Sequence, residues 1–394
     1  MTKHTKRKKL AILLPIILIG SAIWAYYQPL PGLSAVSDIH NKSEETTEPA
    51  PNIGWSSYGE QAIGVVGYGV LASNNQESPL PTASIAKVMA ALGVLDKYPL
   101  LLNQSGPDIT INASDVSIYQ QDLSQGESVA AVQQGEQISE YQALEAMLLP
   151  SANNFATTLT NWAFGSQANY LAWANSYAKT IGMDNSSFAD ASGFSPLTVS
   201  TPTDLVLLGE TAIKNPVIAQ IIDEGSAEIP IAGMVYNVDT DLGSSGIDGI
   251  KTGDTDQAGG CFLFSASYQS VNVVGVILGA PDLGTALHDA PEVLTSSESE
   301  IQVDQAVTAG QVIGHYSLPW GGKVSITSQN SLKAVALVGT QLALKLSANK
   351  LLPRNYSPKT IGNITFSLNN KLYSSPVKLA KQVPGPSFWW RLFR

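Results

Sequence analysis

Pro81-Thr82-Ala83-Ser84-Ile85-Ala86-Lys87-Val88-Met89-Ala90-Ala91-Leu92-Gly93-Val94-Leu95-Asp96-Lys97-Tyr98-Pro99 is the stretch on which the architecture turns. Ile85, Val88, Met89, Leu92 and Leu95 recur at helical spacing, and Pro99 closes the run, so the pattern predicts a buried helix opening near Ser84. Ser84 and Lys87 form S-x-x-K, and positions i and i+3 share a helix face. A serine hydroxyl is a poor nucleophile until a base takes its proton. A lysine can be that base only if burial, the positive end of a helix or a second cation lowers its pKa.

Two further motifs follow in order. Ser151-Ala152-Asn153 (S-x-N) comes after Pro150, which breaks a helix predicted over Tyr141–Leu149; Asn154–Phe164 restarts it. Lys251-Thr252-Gly253 (K-T-G) precedes two β-rich runs, Cys261–Tyr268 and Val271–Leu278, separated only by Gln269-Ser270 as in an antiparallel hairpin. Thr201-Pro202-Thr203-Asp204 has the form of a capping box and opens a helix to about Lys214. Helices followed by strands give an α+β class, with helices packed on an antiparallel sheet.

Singly, Ser84, Ser151 and Asn153 read better as helix caps, Lys87 as a solvated helix residue and Lys251 as a strand-end charge. Jointly they describe a nucleophilic site. Lys87 would deprotonate Ser84 with Lys251 as the second cation, and Ser151 would relay a proton to a departing amine. Asn153 would orient Lys87 and a substrate amide. Gly253, lacking a side chain, lets a peptide pair with the strand edge. The backbone N–H groups of Ser84 and Asp254 would be the oxyanion donors, a contribution of about 3–4 kcal/mol for one such donor.

Composition narrows the alternatives. The 394 residues are 44% hydrophobic and 14% charged, which excludes a disordered tail and a multi-span membrane protein. A single cysteine, Cys261, leaves no disulfide framework, and four scattered histidines leave no metal-ligand pair, so neither cofactor nor metal is implied. The net charge of −10 argues against a nucleic-acid coat. All 32 acids fall between Leu10 and Asp304 with only six bases, Lys87 and Lys251 among them, and no arginine. From Gln305 to Arg394 there are eleven Lys and Arg and no acid, which suggests a domain boundary near 304.

At the start, Lys3, Lys6, Arg7, Lys8 and Lys9 precede an uncharged run, Leu10–Tyr27, long enough to span a bilayer core. Residues 1–27 therefore read as a basic start and membrane anchor, with Trp24, Tyr26 and Tyr27 as an interfacial belt. A cleaved signal ending at Ala22 or Ala25 is the competing reading. Either way the working part is extracytoplasmic. The organisation expected is a linker over 28–54, a catalytic domain over 55–304, a basic all-β domain over 305–383 and an aromatic, basic tail over 384–394. Strand-like runs in the β domain are Ala334–Val338, Gln341–Leu346 and Ile361–Leu368.

With these residues in place, the chain resembles the D-alanyl-D-alanine carboxypeptidases, the low-molecular-mass penicillin-binding proteins. The likeness is carried by 81–89, 148–154, Ile181-Gly182-Met183, Ser187-Phe188, Ala191-Ser192-Gly193, Asp248–Gly253 and Ala258-Gly259-Gly260-Cys261, over roughly 55–383. It implies the penicillin-binding-protein/β-lactamase-like fold. It also implies removal of the terminal D-alanine from peptidoglycan stem pentapeptides through an acyl-Ser84 enzyme, and acylation of Ser84 by β-lactam antibiotics. Two departures stand out. Some relatives hold the substrate carboxylate with an arginine after a late-strand glycine, where this chain reads Leu278-Gly279-Ala280-Pro281, so Lys251 and Thr252 would take that part. Asn154 stands where many relatives have Asp. A β-lactamase of the same fold would use a glutamate for deacylation, yet no carboxylate lies between Asn153 and Asp184. A D,D-transpeptidase differs only in its acceptor, and a non-catalytic wall-binding scaffold is the reading from another class.

Overall fold

The computed structural model describes residues 3–39, 51–74, 78–352, 360–369 and 371–394, with side chains from Pro15 onward. The chain divides into two compact units, 48–301 with 337–339, and 1–47, 302–336 and 340–394.

The first unit is built on the predicted hairpin. Its strands are β1 (Glu60–Val65), β2 (Gly69–Ser73), β3 (Ile247–Thr255), β4 (Gly259–Tyr268) and β5 (Val271–Ala280), in the order β3-β4-β5-β1-β2. Every pairing is antiparallel. The β4–β5 turn is Gln269-Ser270, with Tyr268 opposite Val271. Strand alternation sorts the side chains by face. Leu263, Val274 and Val276 join the main helical core, whereas Phe262, Phe264, Val273 and Ile277 point the other way.

Five helices matter to the site: α1 (Ala86–Lys97), α2 (Glu140–Leu148), α3 (Asn153–Phe164), α4 (Pro202–Ile213) and α5 (Leu283–Glu300). Each residue of α1 from Ala86 to Leu95 is buried, as expected of a helix apolar all round; Lys87 is the exception in chemistry though not in burial. A 3-10 turn, Ala83–Ile85, leads into α1, so Ser84 lies just before the helix proper. α2 begins with a capping box of Ser139 and Gln142 and stops before Pro150. α4 opens on Thr201, whose hydroxyl accepts from Asp204 N–H, with Pro202 at its first position. The Asp204 carboxylate accepts from Asn185 N–H and the Ser186 hydroxyl.

The second unit holds a six-stranded sheet in the order Ala35–Ser37, Val312–Ser317, Lys323–Ser328, Lys371–Leu379, Gly362–Leu368, Lys345–Ala348. Two expectations are corrected here. The linker expected over 28–54 is structured at its start: Leu33 is buried in this unit's core, Ala35–Ser37 is an edge strand, and Asp38 meets His315 Nδ1 at 2.8 Å. Leu33 within that core and Ala35 packed against it tie the segment to the unit. The acidic Lys42–Glu48 stretch lies outside the described residues. The strand expected over Gln341–Leu346 is Lys345–Ala348; Leu342 and Leu344, just before it, pack on the cluster that contains Phe366.

Lys3–Tyr27 is a helix with Pro15 inside it. Among the described residues no single helix is long and apolar enough to cross a membrane; Pro15–Tyr27 is a shorter apolar helix. The tail forms a second helix, Phe388–Phe393, and packs back on its own unit. Arg391 donates to Tyr26 C=O at 3.2 Å, Arg394 to Gln28 C=O at 2.6 Å, and the Trp320 and Trp390 rings meet edge to face.

Candidate active site

Lys87 is the hub of the first unit's chemistry. Its Nζ lies 2.6 Å from Ser84 Oγ, 3.3 Å from Ser151 Oγ, 2.5 Å from Asn153 Oδ1 and 3.1 Å from the Ser192 carbonyl. Asn153 Oδ1 and the Ser192 carbonyl can only accept, so they take the two N–H groups of a neutral amine. The remaining tetrahedral position, the lone pair, faces the hydroxyls and accepts from Ser84 O–H. Burial pushes the Lys87 pKa well below its ordinary value, and the neighbouring Lys251 pushes it further; Asp190, Glu127 and Asp122 oppose them.

Neither serine caps a helix. The 3-10 turn and α1 start without side-chain caps, and so does α3, whose N-cap is Ala152. Ser84 is partly exposed while Lys87 is fully buried, so the hydroxyl is reachable and its base is shielded. The backbone on both sides is strained into place. Ala83 and Ser151 adopt φ of 45° and 65°, a region non-glycine residues rarely occupy and which costs about 1–3 kcal/mol each.

Lys251, Thr252 and Gly253 are buried on β3, and Asp254 is exposed. Among the described residues β3 ends its sheet, which leaves one side of it to receive an added strand. Gly253 lies directly against the nucleophile turn: a Cβ there would sit 2.8 Å from Ser84 N and 2.8 Å from Ala83 Cβ. Burial lowers the Lys251 pKa to about 7, with Asp239 working against the shift.

Sequence reasoning missed three contributors. The Ser192 carbonyl is aimed at Lys87 by Asp190, whose carboxylate accepts from the Ser192 hydroxyl (2.8 Å), Phe194 N–H (2.9 Å), Ser195 N–H (3.2 Å) and the Thr198 hydroxyl. Gly193 lets that loop lie on the nucleophile turn, since a Cβ there would come within 1.7 Å of the Ala83 carbonyl oxygen. Glu127 accepts from Asn153 Nδ2. Asn154 has a use as well: its amide bridges Ala130 N–H (3.1 Å) and C=O (2.9 Å), and an aspartate could not donate the second bond. The Asp190-x-Ser192-Gly193 pattern was a readable turn signal; nothing local marks Glu127. Among the described residues no three His, Cys, Asp or Glu side chains group to hold a metal ion.

A family model for D-alanyl-D-alanine carboxypeptidases (peptidase S11) matches residues 65–282, more than half of the chain. The chain belongs to that family. It is a serine hydrolase that removes the terminal D-alanine from peptidoglycan stem pentapeptides and is acylated by β-lactams. It is 25% identical over 346 residues to the D-alanyl-D-alanine carboxypeptidase DacC of Escherichia coli K12, covering 82% of this chain and 83% of that protein. It is 33% identical over 205 residues to DacB2 of Mycobacterium tuberculosis, covering 50% and 66%. Among solved structures, penicillin-binding protein 5 of Haemophilus influenzae superposes with a TM-score of 0.65 at 19% identity, covering 84% of this chain and 98% of that one. The Streptomyces K15 DD-transpeptidase gives 0.55 at 22%, covering 61% and 96%. Both likenesses are of fold.

Proposed function

We propose the following division of labour. Lys87, neutral, takes the proton of Ser84 as Ser84 Oγ bonds to the carbonyl carbon between the last two D-alanines. The oxyanion rests on the backbone N–H groups of Ser84 and Asp254. As the C–N bond breaks, the proton on Lys87 passes through Ser151 to the departing D-alanine amine. Water then hydrolyses the acyl-enzyme. The stem peptide lies along β3 beside Gly253, with its terminal carboxylate on the Lys251 ammonium and Thr252 hydroxyl. Asn153 holds Lys87 on one side and offers its amide to the substrate.

The observation that carries this reading is the Lys87 amine, wholly buried and in reach of both serine hydroxyls at once. The absence of arginine from 10–304 supports the Lys251–Thr252 assignment. Incubation with a synthetic pentapeptide and an added amine acceptor tests it. Free D-alanine released in one-to-one step with tetrapeptide is the expected result, and a dominant cross-linked product would contradict resolution of the acyl-enzyme by water.

We further propose that the apolar N-terminal helix anchors the enzyme in the cytoplasmic membrane with the catalytic unit outside. The exposed Trp24, Tyr27, Phe388, Trp389 and Phe393 support an interfacial contact.

A further inference from the structure

We infer that Glu127 is a positioning residue for this reaction: its carboxylate holds the Asn153 amide with Oδ1 turned to Lys87, and sets a negative charge behind the amine. The inference rests on the assignment of Lys87 as the base.

Two observations carry it. First, the relay is continuous, from Lys87 Nζ to Asn153 Oδ1 at 2.5 Å and from Asn153 Nδ2 to Glu127 Oε2. An ionised carboxylate can only accept, so it fixes which end of the amide faces Lys87. A flipped amide would aim an N–H at the lysine and compete with Ser84 for its lone pair. Second, the segment bearing Glu127 is fastened to the start of α3. Asn153 N–H donates to the Ser128 carbonyl at 2.7 Å, and the Asn154 amide clamps Ala130 through two bonds. Glu127 is thus held by the same helix turn whose amide it orients.

Charge gives the arrangement a second effect. Proton transfer from Ser84 turns Lys87 into an ammonium, and a nearby carboxylate stabilises that charge as it forms. The same carboxylate keeps more of the resting lysine protonated. The groups facing this pair are Asp122 from helix Ala113–Ser124, Asp190 from the loop after Phe188, and Lys251 from β3. Asp122 and Asp190 act on Lys87 in the same sense as Glu127, and Lys251 in the opposite one.

The test is the pH profile of acylation by benzylpenicillin for the wild type, Glu127→Ala and Glu127→Gln. Alanine removes bond and charge, so the plateau rate should fall about ten- to hundredfold, the range of one hydrogen bond to a charged group. Glutamine can still accept from Asn153 and should recover part of that loss. In both variants the acid limb should move to lower pH by about one unit, since Lys87 is then easier to deprotonate. A merely structural residue would lower the plateau and leave the limb in place. An unmoved limb in both variants, on a wild type that is acylated with a titrating limb, overturns the role of Glu127 alone. No acylation of the wild type overturns the base assignment with it.

Discussion

At the scale of residues the site sets two buried amines near one another, both with pKa pushed down by burial. Lys87 has two obligate acceptors and two hydroxyls around it and, among the described residues, no carboxylate in ion-pair contact with its Nζ, so no direct ion pair holds its proton. Lys251, near pKa 7, is poised differently. For the peptide substrate, kcat/KM reports the free enzyme and should decline above about pH 7 as Lys251 loses the charge that meets the substrate carboxylate. Bound carboxylate raises that pKa, so kcat should hold to higher pH than kcat/KM. Profiles of both from pH 5 to 10 check this; a kcat/KM flat from 7 to 9 would remove Lys251 from carboxylate binding. The S-x-x-K, S-x-N and K-T-G residues were legible because each motif states a chemical need in adjacent letters. Glu127 and the Ser192 carbonyl were not, because their roles exist only once α3, the 125–130 segment and the 190–198 loop fold against α1.

At the scale of elements, the contact between β3 and the nucleophile turn sets the geometry. Gly253→Ala places a methyl 2.8 Å from Ser84 N, where the oxyanion is to rest, and should lower kcat by about 10²–10³ with the fold intact. Unchanged kcat in a folded variant would put the oxyanion elsewhere. α2 carries a different strain: Glu140 is fully buried with neither carboxylate oxygen partnered among the described residues, and burial raises its pKa to about 7. A carboxyl whose folded pKa lies above its unfolded value stabilises fully at low pH and loses that contribution as pH rises through the folded value. Glu140→Gln should therefore exceed the wild type in Tm by a margin that widens between about pH 5 and 8, and a margin constant with pH would contradict it. Element boundaries were readable where capping and proline chemistry were sharp, at Ser139, Pro150 and Thr201. β1 and β2, with Gly64 and Gly69 breaking their alternation, and α5, with Pro291 inside and a Ser- and Glu-rich end, gave no such signal. Their place comes from packing on β4 and β5.

At the scale of the whole molecule, the acidic catalytic unit and the basic β unit are joined in one chain whose two ends meet within the second unit. Under the anchoring proposal, the N-terminal helix and the aromatic tail would act at the same membrane interface. The full chain should pellet with membranes and resist alkaline carbonate, while a chain lacking residues 1–27 should be released and still be acylated; a full chain in the soluble fraction would end the anchoring proposal. The charge reversal at 304 was visible in composition, whereas the recruitment of Leu33 and Ala35–Ser37 into the β unit was not, since three residues of strand carry no pattern of their own. The central claim, that a buried neutral Lys87 arms Ser84, is tested most directly by intact-protein mass after brief exposure to benzylpenicillin. One penicilloyl group on the wild type, none on Ser84→Ala, and acylation slowed about 10²–10⁴-fold in Lys87→Met is the expected result. An adduct that survives Ser84→Ala, or forms at the wild-type rate in Lys87→Met, would contradict it.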